Sequence, residues 1–236
     1  METIGETPAM ELIARGRDAD VFDAGPGRVL RRFRDEGKSV EREAQVMVHA
    51  REHGVPVPEV FDAVGPDLVM ERVDGPTMAT ALARRPWELG FHARLLAEVH
   101  RRVHAAPGPG WLRRPFGDGG SLLHLDLHPE NVLLVDGSPV VIDWTNAASG
   151  PAEADVADTW LVVSSARPSG GRLVQALATL VQGRLAVRFL AATGADLTAV
   201  VATAGARRVR DENLRDAERS RIQRLVQQYA AGTGRP

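Results

Sequence analysis

A predicted β-hairpin near the middle of the chain constrains the fold most. Two apolar β-prone runs, Val132–Val135 and residues 140–142, flank Asp136-Gly137. Asp-Gly between two such runs is among the strongest short signals for a tight hairpin turn. A hairpin brings its two ends together, so Asn131, which enters it, and Asp143, which leaves it, are predicted to be neighbours.

Asp126 adds a third polar side chain to this end of the hairpin. It lies five residues before Asn131, on a tight loop that contains Pro129. A small set of hard oxygen ligands that leaves room for water and phosphate oxygens suits Mg²⁺. Phosphoryl transfer needs such a metal and a carboxylate that orients or deprotonates the attacking hydroxyl. The pattern therefore predicts that Asn131 and Asp143 hold magnesium and that Asp126 is the base.

Composition narrows the class of protein. A chain of 236 residues can bury a sizeable core as one large domain or two modest lobes. The formal net charge of −2 offers no overall attraction to nucleic acid or to an anionic membrane. The absence of cysteine excludes disulfides and thiolate metal sites. The N-terminus lacks a signal-peptide pattern and no long apolar run predicts a membrane span, so we expect a cytoplasmic protein.

The first seventy or so residues favour strands around one helix. Strands are predicted at 19–22, at Arg28–Phe33, from Glu59 and at 68–70. Between the second and third of these, a helix is predicted from an N-cap at Ser39 to a stop at Gly54. Its apolar stripe is formed by Val40, Ala44, Met47 and Val48.

Helical periodicity dominates after the break at residues 73–76. Phe91, Leu95, Val99 and Val103 are predicted to line one face of a helix that ends before Pro107. Two or three long helical patterns follow Pro168. A mixed α/β lobe followed by a mainly helical lobe predicts an α+β fold, with a hinge near residues 71–76.

The central segment resembles a known family. His124-x-Asp126, the spacing from Asp126 to Asn131, and Ile142-Asp143-Trp144 twelve residues later resemble the aminoglycoside phosphotransferase and choline kinase-like family, small-molecule relatives of protein kinases. The resemblance implies a bilobal protein-kinase-like fold, with residues 1–73 as the N-lobe and 74–236 as the C-lobe.

The same resemblance implies roles for site residues. Asp126 is the catalytic base, Asn131 and Asp143 are the magnesium ligands, and His124 braces the catalytic loop. Asp155 supports this loop from behind. His128 is equally consistent with touching a phosphate and with packing of the loop.

The nucleotide half of the site is predicted in the N-lobe. The phosphate-covering loop falls at residues 14–22, where Gly16 is the one glycine, and an ordinary turn is the alternative. Arg31 occupies the position of the kinase lysine, the alternative being a solvated strand charge. On the following helix, periodicity does not choose between Glu41 and Glu43, and the resemblance favours Glu43.

The resemblance also implies a hinge that reads the adenine edge, with backbone groups around Glu71 and Val73. Together these residues predict transfer of the γ-phosphoryl group of ATP, or of GTP, to a hydroxyl of a small molecule. The alternatives are a minimal protein kinase and a non-catalytic nucleotide-binding regulator. The sequence does not name the acceptor or the oligomeric state.

Other polar patterns carry weaker predictions. His100 and His104 lie one helical turn apart but lack a third metal ligand. Residues 206–224 alternate arginine with acidic residues, which is typical of a solvated, ion-paired helix face. The family resemblance implies an alternative for Asp211 and Glu212 in that stretch, namely contacts with a cationic acceptor. Ser121 has no His and Asp partners for acyl transfer.

Overall fold

The computed structural model describes residues 10–16, 18–166, 171–212 and 214–232. Their N-terminal portion forms a five-stranded antiparallel sheet in the order β1-β2-β3-β5-β4. Its strands are β1 (Leu12–Arg15), β2 (Ala19–Asp23), β3 (Arg28–Phe33), β4 (Val60–Val64) and β5 (Asp67–Glu71), with helix α1 (Glu41–Glu52) between β3 and β4. The predicted strands and helix are therefore present.

Strand β1 was missed by the sequence pattern. Its four residues are all exposed, and within the described part of the chain the strand pairs only with β2. A strand at the edge of a sheet that buries neither face has no alternation of apolar and polar residues for a pattern to detect.

The predicted stripe of helix α1 is confirmed at Val40, Ala44 and Met47 and wrong at Val48. Val48 is 44% exposed, whereas Val46 and Ala50 are buried. The helix packs on the turn Trp144–Asn146 as well as on β4, so its buried face is wider than the predicted stripe. The helix begins at Glu41 after Val40, and the Ser39 hydroxyl accepts the Glu41 N–H at 3.2 Å, so the predicted cap lies one residue early.

The C-terminal portion is mainly helical. Its helices are α2 (Met78–Arg84), α3 (Leu89–Ala105), α4 (Ala152–Ser165), α5 (Arg172–Thr193), α6 (Val201–Val209) and α7 (Asp216–Ala230). Two short ribbons complete it: β6 (Ser121–Leu123) with β9 (Ala148–Gly150), and the predicted hairpin of β7 (Val132–Val135) with β8 (Ser138–Val141). The two-lobed α+β architecture is confirmed.

The predicted face of α3 is confirmed at Val99 and Val103 and wrong at Phe91. Phe91 is 49% exposed, whereas Leu96, Val99 and Val103 are fully buried. A strict four-residue step drifts around a helix of 3.6 residues per turn. The helix is covered chiefly by α5 and β6, so Leu96 replaces Phe91 in the buried face.

The connection between the lobes lies directly on the hairpin. The N–H of Leu134 donates to the Pro76 carbonyl at 2.9 Å, and Thr77 bridges to Leu133. A Cβ added at Gly75 would come within 2.3 Å of the Leu134 carbonyl oxygen. The linker thus approaches β7 more closely than a residue with a side chain allows.

We expect Gly75→Ala to lower the free energy of unfolding by about 1–3 kcal/mol, because the linker must move away from β7. Urea unfolding measures this loss. Gly110→Ala is the matched control, because its Cβ would meet nothing within 4 Å. Equal stability of the two variants would contradict the close approach.

Within the described ranges, no helix combines the length and the apolar character needed to cross a membrane.

Candidate active site

The loop that leads into the hairpin brings Asp126 and Asn131 together. A single 3-10 turn, Pro129–Asn131, leads into β7. The Asn131 Nδ2 donates to the Asp126 backbone carbonyl at 2.9 Å and lies 3.5 Å from Asp126 Oδ2. The Asn131 carbonyl accepts the N–H of Ile142 at 3.1 Å, so the two ends of the hairpin meet as predicted.

Asp143 follows the hairpin in an unusual backbone conformation. Its φ is +64°, in the left-handed region that residues other than glycine seldom occupy and that is frequent at functional sites. The Thr145 hydroxyl donates to Asp143 Oδ1, and the carboxylate is 46% exposed. The carboxylate is therefore held in place and remains accessible to a ligand.

Arg31 and Glu43 form an ion pair beside Asp143. The guanidinium of Arg31, on β3, contacts the buried Glu43 carboxylate and lies 3.9 Å from Asp143 Oδ1. The other Glu43 oxygen accepts the N–H of Trp144 at 3.1 Å. The structure thus places Glu43 against Arg31, whereas Glu41 is exposed. Glu43 links β3 and α1 to the residue after Asp143.

The loop that carries Asp126 is supported by Asp155. Leu125 has a φ of +58°, and its N–H donates to Asp155 Oδ1 at 2.7 Å. The other Asp155 oxygen accepts the N–H of His124 and the Nε2–H of His104, both at 3.0 Å. Full burial raises the pKa of Asp155, but the hydrogen bond from His104 and the nearby histidines bring it below its ordinary value. The carboxylate holds the strained loop from behind, as the resemblance implied.

His124 joins the loop to the hairpin. Its Nε2 lies 3.0 Å from the Ile142 carbonyl, and its ring packs on Trp144 with centroids 4.7 Å apart. The side chain is completely buried. His124 therefore positions the segments around Asp126 and Asp143, and the described contacts give it no direct bond to the Asp126 carboxylate.

Asp126 is paired with an arginine from far along the chain. Arg208 Nη2, at the end of α6, lies 2.5 Å from Asp126 Oδ1, and His128 Nε2 lies 3.6 Å from the same oxygen. Burial raises the pKa of Asp126, but the charge of Arg208, with a smaller effect of His128, brings it below its ordinary value. The Asp126 carboxylate is thus ionised at neutral pH.

The prediction of a solvated arginine face at 206–224 is wrong for Arg207 and Arg208. Arg207 Nη1 lies 2.7 Å from Asp158 Oδ1, and Arg208 Nη2 lies 3.2 Å from Asp158 Oδ2. Asp158 is completely buried in α4, and this burial raises its pKa to about 7. No local pattern distinguishes these two arginines from the exposed ones that follow.

The predicted phosphate loop is a braced turn between β1 and β2. The N–H of Gly16 donates to the Ala19 carbonyl at 2.8 Å, and Arg34 donates to the Gly16 carbonyl at 2.8 Å. Arg17 lies outside the described residues. Arg34 directly follows β3, the strand that carries Arg31. The end of β3 therefore supports this turn.

The predicted adenine-reading segment follows β5. Glu71 is the last residue of that strand, and its N–H donates to the Glu59 carbonyl at 2.8 Å. The N–H of Val73 has no hydrogen-bond partner within the described part of the chain. A free backbone donor in this linker fits recognition of a planar base edge.

Asn131 and Asp143 fit a magnesium ion. The Nδ2 of Asn131 is engaged by Asp126, so its Oδ1 is left without a hydrogen bond from the described residues. Mg²⁺ usually takes few oxygen ligands from a protein and completes its coordination with water and phosphate oxygens. The Asn131 amide oxygen and the accessible Asp143 carboxylate are ligands of this kind. Among the described residues, no cluster of three or more His, Cys, Asp or Glu side chains forms a metal site.

His100 and His104 contact the residues of α4 that support the loop around Asp126. His100 Nδ1 donates to the Leu96 carbonyl at 2.8 Å, and its Nε2 lies 3.0 Å from the Thr159 hydroxyl. The Thr159 oxygen lies 2.7 Å from the Leu127 carbonyl. Each histidine therefore contacts a residue of α4 that touches the loop around Asp126.

We expect His100 to make the protein less stable at acid pH. Burial lowers its pKa from 6.5 to about 4, so between these values the unfolded chain binds a proton that the folded chain does not. Stability therefore falls as pH falls through this window, by about 2 kcal/mol between pH 7 and pH 5. Urea unfolding at both pH values should show a smaller pH dependence for His100→Gln than for the wild type. His53→Gln, at an exposed histidine, is the control, and equal pH dependence in all three proteins would contradict the assignment.

Comparison with known proteins identifies the family. Residues 9–119 and 111–190 match the phosphotransferase enzyme family. A curated relative, a probable bifunctional tRNA threonylcarbamoyladenosine biosynthesis protein from Methanoculleus marisnigri, is 30% identical over 149 residues. That match covers 58% of this chain and 24% of the relative's length, so the chain spans about a quarter of it.

Solved structures share the fold along nearly the whole chain. A thermostable mutant of an aminoglycoside phosphotransferase, in ternary complex with AMP-PNP and hygromycin B, has a TM-score of 0.67 at 20% identity, covering 96% of this chain and 95% of its own. A choline/ethanolamine kinase family protein from Mesorhizobium loti has a TM-score of 0.60 at 15% identity, covering 98% and 94%. These similarities confirm the kinase-like two-lobed fold. With the family match over more than half of its length, the chain belongs to the phosphotransferase enzyme family.

Proposed function

We propose that this chain transfers the γ-phosphoryl group of ATP, with GTP as an alternative donor, to a hydroxyl of a small molecule. The observation that supports this most is the convergence of Asp126, Asn131 and Asp143 at one end of a hairpin, next to the Arg31–Glu43 ion pair. A base, two hard metal ligands and a cation for the phosphates are the parts that phosphoryl transfer requires. The proposal includes the division of the chain into a nucleotide-binding N-lobe, residues 1–73, and a catalytic and substrate-binding C-lobe, residues 74–236.

Each of these residues has one role in the proposed reaction. Asp126 accepts the proton of the acceptor hydroxyl while the hydroxyl oxygen forms a bond to the γ-phosphorus. The bond from that phosphorus to the β–γ bridging oxygen breaks, and the nucleoside diphosphate leaves. Asn131 and Asp143 would hold Mg²⁺, which neutralises developing charge on the phosphates.

The N-lobe residues would bind the nucleotide. Arg31, kept in place by Glu43, contacts phosphate oxygens, and its planar guanidinium offers two parallel hydrogen bonds where a lysine offers a point charge. The loop at Gly16 covers the phosphates, and the free N–H of Val73, with the backbone of Glu71, faces the base. AMP-PNP in one solved relative and ADP in another, an aminoglycoside phosphotransferase at 11% identity, favour an adenine nucleotide. The absence of cysteine fits a reducing compartment such as the cytoplasm.

The test is a transfer assay with the full chain. Mg-ATP and Mg-GTP, labelled at the γ-phosphate, are incubated with panels of small alcohols, aminoglycosides and peptides, and the labelled products are separated. We expect label on a small molecule. Label on peptides only would identify a protein kinase, and nucleotide binding without transfer to any acceptor or to water would identify a regulator. Either result would overturn the proposal.

A further inference from the structure

An apolar cavity lies between α2, α4 and α5, next to the turn that leads into the hairpin. Its volume is about 610 Å³, within the range of about 300–1,000 Å³ that is usual for sites that bind small molecules. Most of the described side chains that line it are alanine, valine or leucine, and three of them, Leu82, Val163 and Leu185, are buried. The walls of the cavity are therefore continuous with the hydrophobic core.

The cavity is open to solvent along α5. Leu177 of that helix lines the cavity and is 61% exposed. Ala178, the next residue, lines it too and is half-buried. Apolar surface that water contacts is stabilised when another apolar group covers it. The cavity is therefore accessible and suited to a hydrophobic ligand.

The loop of the predicted base supplies another wall of this cavity. His128, Pro129 and Glu130 line it, and the turn that carries them packs on α2, where Glu130 accepts the Thr77 hydroxyl at 3.0 Å. The Nε2 of His128 lies 3.6 Å from Asp126 Oδ1, and the His128 side chain is 21% exposed. The same imidazole therefore borders the cavity and contacts the base.

Two other cavities in the described part of the chain have no such connection. One lies beside Trp111 on α1, and the other lies beside Glu153 at the start of α4. No residue between Asp126 and Asn131 lines either of them. The cavity beside His128 is therefore the better candidate of the three for a part of the acceptor.

The charge of the cavity narrows the chemistry of its ligand. Glu130 is the one carboxylate among the described residues that line it, and no lysine or arginine is among them. Arg208 contacts Asp126 but does not line the cavity. An anionic group would therefore find no cation there. A polyol or an aminoglycoside would lose hydration of its polar groups against walls that offer few hydrogen bonds.

We propose that the acceptor is an amphipathic alcohol, whose aliphatic or aromatic group occupies the cavity between α2, α4 and α5 while its hydroxyl passes the His128 ring to reach Asp126. The inference rests on the proposed function for the transfer step, but binding of the hydrophobic group does not depend on it. It excludes small polyols and polycationic aminoglycosides as preferred acceptors.

The first test uses acceptors that share a primary hydroxyl and differ in apolar surface. Ethanol, 1-butanol, 1-hexanol and benzyl alcohol are compared with glycerol and glucosamine, with Mg-ATP and the full chain. We expect kcat/KM to rise roughly tenfold or more from ethanol to 1-hexanol, because each buried methylene contributes about fourfold. Equal values for ethanol and 1-hexanol, or preference for glycerol or glucosamine, would overturn the inference.

Two exposed leucines of α5 form a matched pair of variants. Leu177→Ser removes apolar surface from the cavity, whereas Leu180→Ser removes it from a position that is 48% exposed and does not line the cavity. We expect Leu177→Ser to raise KM for 1-hexanol roughly three- to tenfold with kcat nearly unchanged, because it removes binding that is remote from the reacting atoms. Leu180→Ser should change neither constant.

The same pair tests another occupant of the cavity. A second copy of the chain could cover the apolar side chains of α5 instead of a ligand. Sedimentation of the wild type and both variants measures the oligomeric state. An oligomer that Leu177→Ser dissociates, with KM for 1-hexanol unchanged, would assign the cavity to that second copy and overturn the inference.

The second test needs no turnover. 2-Naphthalenemethanol is titrated into the full chain without nucleotide, and its fluorescence is followed for the wild type, Ala178→Phe and Ala176→Phe. Ala178→Phe fills the cavity, whereas Ala176 is exposed on the same helix and does not line it. We expect saturable binding that only Ala178→Phe weakens, and thermal unfolding checks that both variants are folded.

This second test separates the inference from the proposed function. No binding, or equal binding by all three proteins, overturns the inference even if transfer to an alcohol is observed. Binding that Ala178→Phe weakens, without transfer to any acceptor, would instead overturn the proposed function and leave the cavity as a site for a hydrophobic alcohol.

Discussion

Replacing Asp155 with alanine is expected to lower the free energy of unfolding by on the order of 3–5 kcal/mol. Its carboxylate accepts the backbone N–H groups of His124 and Leu125 and the side chain of His104, all where water cannot replace it. Removing a buried charged acceptor leaves three donors unpaired, and Leu125 loses the contact that holds its left-handed backbone.

Urea unfolding at neutral pH measures this loss. Glu153→Ala is the control, because it removes an exposed carboxylate from the first turn of the same helix. Its cost should stay below about 1 kcal/mol, the usual range for a charge near a helix terminus. If the two variants were equally stable, Asp155 would not be the support of the loop.

The parts of the site that were predictable from sequence are those close together in the chain. The Asp136-Gly137 turn specifies the hairpin locally, and the hairpin in turn places Asn131 near Asp143. Asp136 and Gly137 both have positive φ, at +49° and +81°, as a tight two-residue hairpin turn of this kind requires.

Helical periodicity alone did not predict contacts between segments that are distant in the chain. Glu41 and Glu43 could not be separated by helical spacing, because both lie at edges of the apolar stripe. The structure distinguishes them through Trp144, whose N–H bonds to Glu43 from a segment 101 residues further along. Only the family resemblance indicated this choice.

No sequence pattern predicted the contact between Arg208 and Asp126. It contacts Asp126 across 82 residues of sequence, and it belongs to a stretch whose alternating charges are typical of a solvated helix face. Asp158, the buried carboxylate that helps hold it, lies in α4, the helix that also carries Asp155. A buried ion pair of this kind is defined by tertiary packing, so a local pattern does not reveal it.

Asp126→Ala is expected to lower kcat for phosphoryl transfer by roughly 10²- to 10⁴-fold, the usual contribution of a general base. Mg-nucleotide affinity should change little, because Asn131, Asp143 and Arg31 keep their own contacts. The variant also leaves Arg208 without one of its two carboxylates, so Asp126→Asn, which keeps the shape of the side chain, is measured beside it.

The most direct test of the phosphotransferase site measures Mg-ATP affinity and the rate of phosphoryl transfer on the same protein samples. ATP binding with Mg²⁺ is measured by calorimetry, and label transfer from the γ-phosphate to the best wild-type acceptor is measured for the wild type, Asp126→Ala, Asp126→Asn and the exposed control Asp118→Ala. We predict that both Asp126 variants bind Mg-ATP like the wild type and transfer almost no label, while Asp118→Ala does both normally. Transfer by Asp126→Ala at the wild-type rate would contradict the account.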